Sequence, residues 1–233
     1  MELTEIFIGG IRILEPVTVL TDFIITAVCI YAYFRLRKQA KQNSYMRLYP
    51  WFFMFMAISC FCGGLLTHAI PYIFPENIGV WNKMPCWLFN ILSTSTFMLC
   101  MVERYKALFS DSGRKKLLTA IWCEIAIILC LLFVVKSFLI VEIQIAIAVL
   151  LTCVPMQIAI LRKVKYKECT YNMIASMVLV ITIAVMACKF SISKWFNYND
   201  ISHVIITITM FYYYLGAMEM QKEFSKNGEI KLS

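Results

Sequence analysis

Long apolar runs separated by short polar breaks make up most of the chain. A helix needs about 20 mostly apolar residues to cross a membrane. Seven stretches meet that length, at roughly 16–36, 48–73, 84–104, 117–135, 139–161, 171–192 and 199–219. The breaks between them are too short for a soluble domain. Residues 1–233 are therefore expected to form one all-α domain, an integral membrane bundle of seven transmembrane helices. Pro155 predicts a kink in span five. The pair Gly63-Gly64 predicts a close helix contact or a local break just before His68.

Composition agrees with this pattern. Of the 233 residues 61% are hydrophobic and 15% are charged, and the mean hydropathy is +0.74. Soluble domains carry about a quarter charged residues, so a soluble globular chain and a disordered one are both excluded. Glu2 and Glu5 precede the first run, where a signal peptide would be basic. Most of the ten cysteines fall inside spans, where they act as small apolar residues, and no disulfide framework is expected. Trp51, Trp81, Trp87 and Trp195 fall near span ends and are expected to anchor the interfaces.

Charge sets the orientation. The breaks after spans one, three and five hold Arg35, Arg37, Lys38, Lys41 and Arg47, then Arg104, Lys106, Arg114, Lys115 and Lys116, then Arg162, Lys163, Lys165 and Lys167. With Lys222, Lys226 and Lys231 in the tail, one face has 17 of the 22 basic residues. Cytoplasmic loops carry such an excess, which places the N-terminus outside and the C-terminus in the cytoplasm of a plasma- or inner-membrane-type bilayer. The net charge of +8 then reflects loops lying on an anionic leaflet, with membrane lipids as partners. A nucleic-acid partner is not expected, because these loops are too short to build a basic surface.

Polar residues inside spans are costly and mark function. Glu15 and Asp22 lie two turns apart on one face of span one. His68 ends span two, Asn90 opens span three, Glu142 opens span five, Lys189 ends span six, and Asn199, Asp200 and His203 open span seven. All fall in the outer third, whereas the inner half offers little beyond Glu124 and Gln157. An outward-opening polar pocket satisfies this bias. Two imidazoles and a carboxylate with one open position make a catalytic zinc arrangement. The metal set expected is His68, His203 and Asp200, with Asp22 and Asp200 as catalytic carboxylates and Glu15, Asn90, Glu142, Lys189 and Asn199 lining the pocket.

Seven spans, the histidine at the end of span two and the Asp200–His203 pair together resemble the alkaline ceramidases. These belong to a superfamily of seven-span membrane hydrolases that includes the adiponectin-receptor-like proteins. The resemblance implies zinc and hydrolysis of an amide or ester in a lipid, with His68 and His203 as ligands and Asp22 or Asp200 beside the activated water. The chain departs from that pattern at Thr207, where the family has a second histidine, and at Gly64, where it has a serine; it has only two histidines in all. The triplet Glu103-Arg104-Tyr105 is similar to one in rhodopsin-like receptors, but span seven lacks Asn-Pro-x-x-Tyr, and a basic boundary accounts for Arg104. Two functions follow. One is a metal-dependent hydrolase of a lipid-like amide or ester. The other is a receptor- or transporter-like protein that binds a small polar or cationic ligand through Glu15, Asp22 and Asp200.

Overall fold

Apolar runs of this length satisfy their own backbone only by the helical ladder, and the described residues hold seven helices long and apolar enough to cross a membrane. The structure is a computed structural model that describes residues 4–38, 44–163 and 166–227. Glu2, Lys41, Lys165, Lys231 and the side chain of Lys226 lie outside them. A hairpin of β1 (Glu5–Ile8) and β2 (Ile11–Leu14) comes first. The helices follow as α1 (Pro16–Arg37), α2 (Ser44–Cys62, continued by a π-helical segment Gly63–Ala69), α3 (Met84–Arg104) and α4 (Asp111–Val135). Then come α5 (Leu139–Lys163, π-helical over Ile147–Cys153), α6 (Lys167–Cys188) and α7 (Tyr198–Asn227). The bundle has a hairpin end and an opposite, basic end.

The hairpin was not legible in the apolar pattern. Its two-residue turn puts Gly9 at φ 57° and Gly10 at φ 82°, the positive values that a tight antiparallel turn demands of both central residues. Arg12 Nε donates to Glu5 at 2.6 Å, and the Tyr72 hydroxyl donates to the Arg12 carbonyl at 2.6 Å. The hairpin is thereby fixed to the segment that follows α2.

Several helix ends differ from their sequence-based positions, each for a local reason. α2 stops at Ala69 rather than 73 because Pro71 cannot continue the ladder and forces Ile70 out of helical geometry. α4 begins six residues early, at Asp111, because the Ser110 hydroxyl accepts from the Gly113 amide at 3.1 Å and caps a polar first turn. α6 runs over Lys167–Cys188 rather than 171–192, ended by Lys189 at φ 50°. In α5 the π-helical segment ends two residues before Pro155, so the helix meets the proline with a widened turn.

Packing centres on aromatic rings. Tyr49, Phe52, Phe53, Phe97 and Tyr213 are buried together, with the Phe97 and Tyr213 centroids 4.6 Å apart. α1 lies between α2 and α7, and α7 runs along α6. A Cβ at Gly216 would stand 2.1 Å from Asn172 Oδ1, which fixes how closely α7 approaches α6. α5 meets α6 through Val154–Lys163, whereas its other half packs on α3 and α4. Large apolar side chains such as Trp122, Val134, Leu151 and Ile181 face outward. Trp51, Trp81 and Trp195 are half exposed, as anchors would be, but Trp87 is 7% exposed and belongs to the interior.

Arg104 also departs from expectation, because it is not a boundary residue. It is buried, with Nε and Nη2 donating to the two Glu168 oxygens at 2.8 and 2.9 Å and Nη1 donating to the Tyr45 hydroxyl at 3.2 Å. The rings of Tyr45 and Tyr166 flank the guanidinium. This bidentate pair ties α3 to the first turn of α6. Arg104→Met should destabilise the protein by about 3–5 kcal/mol, because it strands a buried carboxyl group. Adding Glu168→Leu should recover most of that loss. Melting of both variants in detergent checks this, and a double variant no more stable than the single would refute it.

Candidate functional site

The site forms at the hairpin end, where six of the seven helices contribute. α1 carries Asp22 inward, and its closeness to α2 depends on the two glycines that open the π-helical segment. A Cβ at Gly63 would stand 3.4 Å from Asp22 Oδ2, and one at Gly64 would stand 3.0 Å from Asp22 Cβ. Larger residues there would push the helices apart. The widened turn also carries His68 round to face α7, so that the His68 and His203 rings meet edge to face with centroids 6.1 Å apart.

Each histidine is held by its Nδ1. His68 Nδ1 lies 2.7 Å from Glu15 Oε2. A carboxylate only accepts, which puts a proton on Nδ1. Thr21 spends its hydroxyl proton on the Thr18 carbonyl at 2.9 Å, so its oxygen accepts from His203 Nδ1 at 3.1 Å. The Nε2 lone pair of His203 therefore points toward the interior, 3.6 Å from Asp22 Oδ1. The His203 lone pair and the Asp22 carboxyl group thus come together beside the His68 ring.

A cavity of about 260 Å³ opens against this cluster. Asp22, Thr67, His68, Thr182, Ser202 and His203 line its polar part, Lys83, Glu142 and Asn199 add further polar groups, and Trp87, Phe138, Ile145, Leu179, Ile183, Met186 and Ile206 form apolar wall. Asp22 is 3% exposed, Thr182 6% and Ser202 2%. Asp22 Oδ2 and the hydroxyls of Thr67, Thr182 and Ser202 have no hydrogen-bond partner among the described residues. A buried polar atom left unmatched costs about 1–3 kcal/mol, so four in one cavity wall are a strong sign of a site built for something else to complete.

The structure brings together Asp22, His68, His203, Glu142 and Asn199, with Glu15 behind His68. It does not bring in the rest. Asp200 is buried with one oxygen accepting from Thr18 at 2.6 Å and the other from the Asn197 amide at 2.7 Å, so its carboxylate fastens the start of α7 to α1. Lys189 is exposed at the end of α6, and Asn90 lies off the cavity with its Oδ1 buried and unpartnered. Lys83, Thr182, Ser202 and Trp87 escaped sequence reasoning as site residues. Thr182 interrupts an apolar run and Ser202 lies between Asp200 and His203, which was the available signal; Lys83 looked like an ordinary loop cation.

As metal donors, His68, His203 and Asp22 are of the right chemical type for zinc. Two imidazoles on one tetrahedral ion would have centroids about 5 Å apart, a little closer than seen here. Among the described residues no group of three or more His, Cys, Asp or Glu stands at metal-holding geometry.

A comparison with curated proteins finds no match. A family model does match, over residues 17–222, and the chain accordingly belongs to that family, a family of unknown function (DUF6962).

Proposed function

We propose that the chain is a multi-pass membrane protein, N-terminus outside and C-terminus cytoplasmic, that binds a single-chain amphiphile with a donor-bearing, cationic head. Arg35, Arg37 and Arg114 gather at the basic end, which supports this orientation. The hairpin end then opens to the outer leaflet. One observation carries the ligand class: Asp22 Oδ2 is buried without a partner among the described residues, beside the His203 lone pair. Only a cation or an N–H or O–H donor complements that set. The apolar wall of α6 and α7 suits the first carbons of a chain that continues into lipid.

The purified full-length protein should bind dodecylamine. Asp22→Asn should weaken that binding at least tenfold, and Thr182→Phe should abolish it by filling the cavity. Calorimetric titration in a maltoside detergent reads all three. A wild type that binds no better than Thr182→Phe refutes the proposal.

A second reading is a metal-dependent hydrolase of a lipid-like amide or ester. It is favoured by the carboxylate behind His68, since metal-bound histidines usually give their other nitrogen to such a partner. His68, His203 and Asp22 would hold the ion, with Asp22 in the place that the sequence assigns to Asp200. Zinc would supply a Lewis acid and a more acidic bound water. For their part, Glu15 and Thr21 fix the two rings, and the apolar wall keeps bulk water from the scissile bond. Near-stoichiometric zinc in the purified protein, lost in His68→Ala and in His203→Ala, would support this reading; a zinc-free, folded wild type would overturn it.

A further inference from the structure

The cavity carries a second set of groups that a simple cation leaves unused. Lys83, just ahead of α3, lines the same wall as Asp22 and His203, and among the described residues it enters no ion pair, although Glu142 lines that cavity too. Thr67, Thr182 and Ser202 add three hydroxyls without partners. A hydroxyl can donate as well as accept, so these groups and the Lys83 ammonium form a donor set suited to an anion.

The acceptor set is equally defined. Asp22 Oδ2 and the His203 Nε2 lone pair are acceptors for the N–H donors of a primary ammonium. A quaternary ammonium has no N–H and would leave both acceptors unmatched. An anion alone would meet the Asp22 carboxyl group. A head that bears both charges, with a donor-bearing nitrogen, complements both sets within about 260 Å³.

The geometry points to a zwitterionic lipid head as the ligand, a primary ammonium against Asp22 and His203 and a phosphate against Lys83, as in a single-chain phosphoethanolamine lipid. This rests on the amphiphile reading above and narrows it. Sites built to hydrogen-bond a group reject analogues that lack it far more strongly than they reject a missing methylene. The phosphoethanolamine head is therefore distinguished from the phosphocholine head.

Dissociation constants of the full-length protein in maltoside detergent test this. The probes are lauroyl lysophosphatidylethanolamine, the matching phosphocholine and phosphatidic acid lipids, dodecylamine, and phosphoethanolamine without a chain. The ethanolamine lipid should bind at least tenfold tighter than every other probe. Lys83→Gln should bring it down to the level of dodecylamine, whose own binding should not weaken. Equal binding of the ethanolamine and choline lipids, or an order unaffected by Lys83→Gln, overturns the inference. In either case, continued binding of dodecylamine leaves the broader amphiphile reading standing, whereas failure of every probe removes both. Chain-free phosphoethanolamine binding as tightly as the lipid would overturn the lipid as its source.

Discussion

Polar side chains on helices this apolar have little to turn to except one another, and the arrangement of the bundle follows from how each finds a partner. At the basic end Arg104 and Glu168 satisfy each other through two parallel hydrogen bonds, with Tyr45 taking a third. Between α3 and α5, Gln144 donates to the Ser95 hydroxyl at 3.1 Å. At the hairpin end Asp200 is completed by Thr18 and a backbone amide. Other buried atoms, such as Gln144 Oε1 and Gln157 Oε1, also lack a partner among the described residues, but the unpartnered Asp22 oxygen belongs to a side chain that lines the cavity.

The same constraint explains the two π-helical segments. One, over Gly63–Ala69, gives α2 the extra rotation that brings His68 toward α7 while its glycines admit Asp22. The other lies in α5, which packs on α6 through only one half. The cavity lies where the remaining half of α5 faces α6, with Ile145 on one side and Leu179, Ile183 and Met186 on the other. Widened turns of this kind recur at functional sites because they redirect a side chain without breaking the helix.

Most of the helices were legible, since length and hydropathy are set by the requirement for about 20 apolar residues. Their ends were less so, because caps and prolines act through single residues: Ser110 extends α4 into a polar segment, and Pro71 shortens α2. The hairpin has no apolar periodicity and is marked only by Gly9-Gly10. For the site, depth along each span pointed to Asp22, His68, His203, Glu142 and Asn199. Rotation about the helix axis was not legible, and it decides the rest. It turns Asn90 off the cavity and brings in Thr182 and Ser202, and it gives Asp200 to Thr18. Arg104 looked like a boundary marker because its partner Glu168 sits in a run of basic residues 64 positions on.

The central claim is that Asp22 is kept for a ligand and not for the fold. Asp22→Asn keeps the shape and removes the carboxylate, so the melting temperature of the ligand-free protein in detergent separates the two roles. A carboxyl group buried without a matching donor lowers stability by about 1–3 kcal/mol or more, and its neutral replacement should raise the melting temperature by several degrees. A fall of several degrees would show that Asp22 holds the helices together, and the account of the cavity would be contradicted.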